Sequence, residues 1–278
     1  MMLRVVGGTE HGGRDADVAI IIPARYGSTR FPGKPLVELR GAEGSAKSLL
    51  QRSWETACLV SGAGEVWIAT DDVRIQEAAA RFGASVVLTP TDCLNGTERC
   101  CAAVVAAGLK ADLIINFQGD APLTPPLAVD ALIETMREDP TIGVGTVMVR
   151  SSSVEADCLR TDERVGRFRM TSVVFDRRLN ALYFSKRVIP HVGARMDRPP
   201  VYLHLEVYGY RRETLLAYRD LEPSEFEQAE GLEQLRFLDA GIPVRMVEVG
   251  APPGGIWEVN SPSDVVAVEA ALTERHID

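Results

Sequence analysis

The sequence predicts an α/β fold in which helices cover a mostly parallel β-sheet and a strand-rich segment is inserted. The first apolar run, residues 18–23, is continuous rather than alternating, which is typical of a strand buried on both faces. Strand and helix patterns then alternate up to residue 117, and this alternation predicts a parallel sheet. From about residue 143 to residue 211 the pattern changes to mostly strands, which predicts an insertion in the α/β unit.

Each element follows from its local pattern, taken in chain order. Apolar residues at helical spacing and capping residues predict helices over residues 45–60, 73–82, 96–107, 224–240 and 263–273. Short runs rich in apolar and β-branched residues predict strands over residues 18–23, 65–70, 85–89, 113–117, 144–149, 168–175, 181–184, 205–210 and 244–249.

Length, charge and cysteine usage limit the functional classes. The 278 residues, 46% of them hydrophobic, suffice for one large domain or for a domain and a subdomain. A net charge of −9 argues against nucleic acid as a partner, although it leaves room for a small anion. No apolar run is long enough to span a bilayer, so no membrane partner is expected.

The expected setting is the cytoplasm. Five cysteines without a CxxC pair are typical of reduced thiols in a cytosol. Residues 1–17 are polar and glycine-rich, lack the apolar core of a signal peptide, and are predicted to be disordered. The folded domain is therefore expected to cover residues 18–278.

A basic loop follows the first predicted strand. Residues 23–35 read PARYGSTRFPGKP and bring Arg25, Arg30 and Lys34 to the edge of the sheet. Ligands of open α/β folds bind outside the carboxyl ends of the strands, and these cations can surround a triphosphate. The loop is neither a P-loop nor a GxGxxG turn. The alternative is a solvated basic loop with turn prolines; convergence of three cations favours phosphate binding.

Two further segments lie at the ends of predicted strands. Asp120 follows a buried strand and a glycine, where a carboxylate suits Mg²⁺; the alternative is a residue that caps the next helix or turn. Residues 95–99, NGTER, form a turn into a helix, at which Gly96, Thr97 and Arg99 can hold a base or a phosphate. The same segment has a capping box formed by Asn95 and Glu98, and both interpretations can be true.

Polar residues in the second half of the chain allow either a functional or a surface position. Alternation places His204, Glu206 and Tyr208 on one face of a strand, which is either a site wall or a solvent face. Spacing alone predicts that Glu233 and Gln234 lie on the surface of a helix.

Taken together, several stretches resemble the CMP-KDO synthetase family, the 3-deoxy-manno-octulosonate cytidylyltransferases. The matching stretches are IIPARYGSTRFPGKPL (21–36), ATDD (69–72), NGTER (95–99), INFQGDAPL (115–123), ALYFSKRVIP (181–190), HLEVYGYR (204–211), LEQLR (232–236) and VNSPSDV (259–265). The resemblance implies a Rossmann-like nucleotidyltransferase fold with a mixed, mostly parallel sheet flanked by helices. It also implies a homodimer, with residues 143–211 as the acceptor-binding and dimerisation region.

The resemblance further implies an enzyme that transfers CMP from CTP to a small acidic acceptor, with Mg²⁺ as cofactor and release of pyrophosphate. Arg25, Lys34 and Asp120 would be catalytic, and Asp120 and Asn260 would hold the metal. CTP would contact Ala24, Arg25, Ser28, Thr29, Arg30, Lys34, Asn95, Gly96, Thr97 and Arg99. The acceptor would contact Gln118, Lys186, His204, Tyr208, Glu233 and Gln234.

Four positions depart from the family pattern. Ala121, Lys186 and Glu206 replace a glutamate, an arginine and a glycine on the acceptor side, and Asn260 replaces a metal-binding aspartate. The last change predicts weaker metal binding, because an amide oxygen brings no charge. The first three leave two acceptors open, a KDO-like sugar acid and a small phosphonate of the phosphonoformate type. A non-catalytic nucleotide-binding protein is the alternative of another class.

Overall fold

The computed structural model describes residues 17–27, 31–168, 170–191, 199–252 and 254–278. The predicted disordered segment 1–17 therefore lies, except for Asp17, outside the described residues. Within them the strands are β1 (Val18–Ala24), β2 (Glu38–Arg40), β3 (Ala46–Ser48), β4 (Glu65–Thr70), β5 (Ser85–Leu88), β6 (Leu113–Phe117), β7 (Val144–Arg150), β8 (Ser172–Phe175), β9 (Ala181–Ser185), β10 (Tyr202–Arg211) and β11 (Val244–Val249).

The helices surround this set of strands. They are α1 (Leu49–Cys58), α2 (Val73–Arg81), α3 (Gly96–Ala107), α4 (Pro126–Glu138), α5 (Ser153–Arg164), α6 (Arg212–Ala217), α7 (Glu225–Glu230), α8 (Leu235–Asp239) and α9 (Asp264–Glu274). Two short 3₁₀ helices cover Lys34–Leu36 and Tyr218–Asp220.

The main sheet is mixed and mostly parallel, as predicted. Its strand order is β11-β7-β10-β6-β1-β4-β5, and β8 and β9 extend it beside β10. β1 pairs in parallel with both β4 and β6, β4 with β5, and β11 with β7. β10 runs antiparallel between β6 and β7 and joins the two parallel parts.

The core lies on both faces of the sheet. Ile20 and Ile22 of β1 pack into one apolar cluster, with helices α1 and α4, whereas Ala19 and Ile21 pack into the cluster on the opposite face, with α3. The continuous apolar run of β1 is thus explained, because a strand buried on both faces has no position for a polar side chain. Among the described residues no helix combines the length and apolarity needed to cross a membrane.

Several elements differ from the sequence-based expectation. The helix predicted over residues 45–60 begins at Leu49, because Ser48 caps it and accepts a hydrogen bond from the Gln51 N–H. The residues before it form β3, which pairs with β2 in a hairpin. Three helices were not predicted: α4, α5 inside the strand-rich segment, and α6 after it.

The helix predicted over residues 224–240 is two helices. α7 ends at Gly231, which adopts the left-handed conformation at φ 63°, and α8 starts four residues later. A left-handed residue terminates a helix, and glycine adopts this conformation at least cost. The break turns residues 231–234 towards the sheet edge described next.

Candidate active site

A cavity of about 670 Å³, here the first cavity, opens where β1 and β6 end. The two strands are parallel neighbours, so their carboxyl ends meet. Ala24 at the end of β1 and Arg25 just after it line the cavity, as do Gln118 and Asp120, which follow β6. Gly119 permits this approach: a Cβ there would lie 3.0 Å from the carbonyl oxygen of Pro23.

Lys34 and Asp120 meet at the floor of the first cavity. The Lys34 Nζ lies 2.5 Å from Asp120 Oδ2, and both side chains are largely buried. The carbonyl of Asp120 also accepts a hydrogen bond of 3.0 Å from the Val259 N–H. That bond brings the adjacent residue, Asn260, to the wall of the same cavity.

The donor set around Asp120 fits Mg²⁺. One carboxylate, Asp120, and one amide, Asn260, line the same cavity, and Mg²⁺ is usually held by one or two carboxylates together with substrate phosphates. Among the described residues, no group of three or more His, Cys, Asp or Glu side chains forms a closed metal site. The arrangement therefore suits an ion that arrives with a nucleotide, and the metal assignment stays a prediction.

The amino end of α3 borders the first cavity. Asn95 caps the helix through the Glu98 N–H at 2.9 Å, as predicted, and Gly96 lines the cavity. The hydroxyl of Thr97 is buried and lies 2.9 Å from the Tyr210 hydroxyl and 3.0 Å from Glu233. Thr97 therefore anchors the helix to Tyr210 and Glu233, and its contact with CTP stays a prediction.

Arg99 lines the first cavity with its guanidinium already engaged. Its Nη1 donates to Thr89 at 2.7 Å and its Nη2 to Asp71 at 2.9 Å. The side chain is almost fully buried. The two bonds fix the guanidinium at the cavity wall.

The expected surface position of Gln234 is wrong. Its side chain is 1% exposed, and the Tyr208 hydroxyl donates to its Oε1 at 3.1 Å. Glu233 accepts from the N–H and hydroxyl of Thr97, so it joins the α7–α8 segment to α3. The break at Gly231 accounts for both positions, because in an uninterrupted helix Glu233 and Gln234 would have faced the solvent.

A smaller cavity of about 240 Å³, here the second cavity, adjoins the first. Lys186, His204, Glu206 and Glu258 line it, and Glu206 and Asn260 line both cavities. The predicted common face of His204, Glu206 and Tyr208 is thus a site wall.

The solvent-facing alternative for Glu206, in which it would pair with Arg211 or Arg212, does not hold. The guanidinium of Arg211 instead faces Asp112, at 3.9 Å, and Arg212 donates to the carbonyl of Leu109 at 3.1 Å. Both arginines are therefore turned to the end of β10 that is remote from Glu206.

Burial shifts the protonation of the groups around the second cavity. Burial, followed by the negative charges of Asp120 and Glu233, raises the pKa of Glu206. Burial and the neighbouring Glu206 likewise raise the pKa of Glu258 well above its ordinary value. Burial lowers the pKa of His204 to about 3, so its imidazole is neutral near neutral pH.

The two cavities bring most of the predicted site residues together. The first contains Ala24, Arg25, Lys34, Asn95, Gly96, Arg99, Gln118, Asp120, Tyr208, Glu233, Gln234 and Asn260, and the second contains Lys186, His204 and again Asn260. Ser28, Thr29 and Arg30 lie outside the described residues. Sequence reasoning missed Glu258; the alternation of Glu258 and Asn260 around the buried Val259 was the signal that could have found it.

Known sequences resemble this chain over nearly its full length. The family profile described as cytidylyltransferase matches residues 19–246. The 3-deoxy-manno-octulosonate cytidylyltransferase of Maricaulis maris (strain MCS10) is 43% identical over 255 residues, covering 92% of this chain and 96% of the relative. The 8-amino-3,8-dideoxy-manno-octulosonate cytidylyltransferase of Shewanella halifaxensis (strain HAW-EB4) is 37% identical over 257 residues, covering 92% and 98%.

A solved structure shares the fold. CMP:2-keto-3-deoxy-manno-octonic acid synthetase complexed with CTP superposes with a TM-score of 0.79 at 37% identity. The match covers 93% of this chain and 99% of the other.

Proposed function

Because this chain belongs to the cytidylyltransferase family, and is thus a nucleotidyltransferase, we propose that it transfers CMP from CTP to a 3-deoxy-octulosonate-type sugar acid and releases pyrophosphate. One observation carries the proposal: Arg25, Lys34 and Asp120 line one cavity at the carboxyl ends of β1 and β6. The similar protein whose structure was solved with CTP supports the nucleotide, and the names of the relatives support the acceptor class.

The residues of the first cavity suit an in-line displacement. The acceptor hydroxyl attacks the α-phosphorus of CTP; the new phosphorus–oxygen bond forms as the bond to the β-phosphate oxygen breaks, and the hydroxyl proton is released. Pyrophosphate leaves with the electron pair of the broken bond. Arg25 and Lys34 are placed to stabilise the charge on the leaving group, and the first cavity orients the two reactants.

Asp120 and Asn260 would hold Mg²⁺, which supplies charge neutralisation on the phosphates when bound. Lys34 already neutralises Asp120 at 2.5 Å, so these two residues keep the cavity floor close to electrically neutral. No nucleophilic side chain is required, because the acceptor itself attacks.

The phosphonate acceptor receives no support from the relatives, which are named for sugar acids. The second cavity also weighs against it. Among its described lining residues there is one cation, Lys186, beside the acidic side chains Glu206 and Glu258, so a compact dianion would meet a single positive charge. A sugar acid with a single carboxylate fits this charge pattern better.

Pyrophosphate release with CTP and a panel of acids tests the proposal. We expect release with 3-deoxy-manno-octulosonate or a close analogue, together with one equivalent of the CMP-sugar. Arg25→Ala should lower kcat/KM by about 10²–10³-fold, because it removes a charged contact to the leaving group. Arg81→Ala, on the exposed side of α2, is the matched control and should have little effect. CTP binding without pyrophosphate release from any acid would instead identify a non-catalytic nucleotide-binding protein.

A further inference from the structure

Arg236 of α8 is a buried cation in the wall of the first cavity. Its side chain is 3% exposed, and it follows Gln234, a predicted acceptor contact, by two residues. A buried guanidinium is costly unless carboxylates or other acceptors face its donors. The partners of Arg236 therefore show which parts of the fold depend on it.

All three nitrogen atoms of the Arg236 guanidinium donate to carboxylates. Nε and Nη2 each lie 2.7 Å from an oxygen of Glu227 on α7, and Nη1 lies 3.1 Å from Oε1 of Glu98 on α3. The guanidinium carbon also lies 4.4 Å from the centre of the Tyr218 ring. A bidentate pair admits one orientation of the planar guanidinium, so Arg236 fixes α7, α8 and α3 relative to one another.

Glu98 extends this connection to the turn that precedes α3. Its Oε1 accepts from Arg236, while its Oε2 accepts from the Leu94 N–H at 2.8 Å. Leu94, Asn95 and Gly96 line the first cavity, and the last two are predicted to contact CTP. A displacement of Arg236 would therefore be transmitted to the predicted nucleotide side as well as to the predicted acceptor side.

A second connection joins the same two segments through different residues. Thr97 donates to both carboxylate oxygens of Glu233, from its N–H at 3.3 Å and from its hydroxyl at 3.0 Å. Glu233 is itself a predicted acceptor contact, so a bound acceptor would compete with Thr97 for that carboxylate. Arg236 instead binds Glu98 and Glu227, neither of which is predicted to contact a substrate. Its connection can therefore stay intact while both substrates are bound.

We propose that Arg236 is a positioning residue for CMP transfer, which acts through Glu98 and Glu227. It holds the turn before α3 and the segment between α7 and α8 in one register, so that the acceptor hydroxyl is aligned with the α-phosphorus of CTP. This inference rests on the proposed function, because it assigns a residue to the same reaction. In-line attack is sensitive to such alignment, since a misplacement of about 1 Å can lower the rate by about 10²-fold.

Kinetics of Arg236→Lys, normalised to the number of intact sites, test the inference. Lysine keeps the charge but lacks the fork that binds both carboxylates. We expect kcat per site to fall by about 10–100-fold, with little change in the KM of either substrate, because each substrate keeps its own contacts and only their alignment is lost.

Calorimetric titration with a non-hydrolysable CTP analogue and Mg²⁺ counts the intact sites. A variant that is merely misfolded binds at reduced stoichiometry, whereas a misaligned site binds at full stoichiometry and turns over slowly. Arg160→Lys is the matched control, because Arg160 pairs with Asp157 on α5 and lines neither cavity. We expect this control to keep the wild-type kcat per site.

Glu98→Gln tests the connection from the other end. Glutamine still offers an oxygen to the Leu94 N–H, as in a capping box, but it removes the charge that faces Arg236. We expect kcat per site to fall here too. The double variant should lose less than the product of the two single losses, since both changes break the same contact. If Arg236→Lys does not fold, Glu98→Gln still decides.

The possible results separate the inference from the proposed function. An unchanged kcat per site in Glu98→Gln or in Arg236→Lys overturns the inference, while CMP transfer stands. A raised KM for one substrate with kcat retained shows that Arg236 serves that substrate alone, and the inference also fails. If the wild type releases no pyrophosphate with any acid, the proposed function fails, and the inference that rests on it fails with it.

Discussion

Asp120 contacts Lys34 through its side chain and the segment before Asn260 through its carbonyl. In the family pattern a second aspartate would stand where this chain has Asn260. Asp120 is then the single anionic member of the predicted metal pair, and the affinity for Mg²⁺ depends on this one charge.

We therefore expect Asp120→Asn to remove nearly all Mg²⁺-dependent turnover, and Asn260→Asp to lower the Mg²⁺ concentration at half-maximal activity. Titrations of Mg²⁺ against pyrophosphate release measure both. Asp92→Asn, an exposed aspartate, is the matched control. An unchanged Mg²⁺ titration in Asp120→Asn would place the metal elsewhere.

His204 makes the stability of the fold depend on pH. Burial lowers its pKa to about 3 from its ordinary value of 6.5, so the unfolded chain takes up a proton between these values and the folded chain does not. The contribution of neutral His204 to the free energy of unfolding is complete above pH 6.5 and is lost as the pH falls towards 3. Between pH 7 and pH 5 this amounts to about 2 kcal/mol.

We expect His204→Gln to lose about 2 kcal/mol less stability than the wild type over that interval, whatever its stability at pH 7. Urea unfolding at the two pH values measures the difference. His276→Asn is a suitable control, since His276 is exposed and its φ of 55° suits asparagine. Parallel pH profiles of His204→Gln and wild type would contradict the assignment.

Among the elements, those with a continuous apolar run or a clear cap were predicted within a few residues. β4, β6 and α3 have the predicted bounds, because their signals are local: a buried strand between turns, or Asn95 before a helix. The β2–β3 hairpin was missed because its strands are three residues long, and Leu39 alone turns into the core. α5 was missed because it buries little apolar surface and lies in a region dominated by strands.

The candidate site, like the elements, could be predicted only where the signal is local. Arg25 and Asp120 follow strands whose parallel pairing brings their ends together, so a strand assignment suffices to place them. Gln234 depends on the break at Gly231, which helical periodicity does not indicate, and Glu258 follows no regular element, so its alternation with Asn260 around Val259 is a weak signal. The positions of such residues depend on contacts between distant parts of the chain, and local spacing carries little information about those contacts.

The break between α7 and α8 can be tested at Gly231. A Cβ there is strained at φ 63° and would lie 3.0 Å from the Lys186 Nζ, so we expect Gly231→Ala to cost about 1–2 kcal/mol and to raise KM for the acceptor. Gly241→Ala has a similar φ, 72°, with open space around the Cβ, and serves as the control for strain alone. Equal acceptor KM values in the two variants would show that the Gly231 turn does not position the site.

On the scale of the whole molecule, apolar side chains are exposed in the segment predicted to form a dimer. Leu182 of β9 is 61% exposed, and the nearby Tyr183 and Phe226 pack edge to face at 6.3 Å. Phe168 is also exposed in this segment. Exposed apolar groups of this kind are typical of protein–protein contacts, and the homodimer stays a prediction.

Leu182→Glu should then weaken the dimer without unfolding the subunit, because it places a charge in an apolar contact while leaving the buried side of β9 intact. Sedimentation equilibrium should show a mass near twice 30.2 kDa for the wild type and a shift towards one subunit for the variant. Leu127→Glu, at an exposed position of α4, controls for loss of an exposed leucine. A wild-type protein that sediments as one subunit would contradict the prediction.

The ion pair of Lys34 and Asp120 couples the binding of nucleotide to the binding of metal. We expect Lys34 to leave its 2.5 Å contact with Asp120 when it binds the triphosphate of the nucleotide. The carboxylate of Asp120 would then lack its counter-charge. Asp120 then attracts a divalent cation more strongly than before, which makes the two ligands positively cooperative and reciprocally so. Calorimetric titration of Mg²⁺ into the protein should show weak binding alone and binding at least about fivefold tighter with a non-hydrolysable CTP analogue. Nucleotide and metal would thereby bind as a pair, each strengthening the affinity for the other by the same factor.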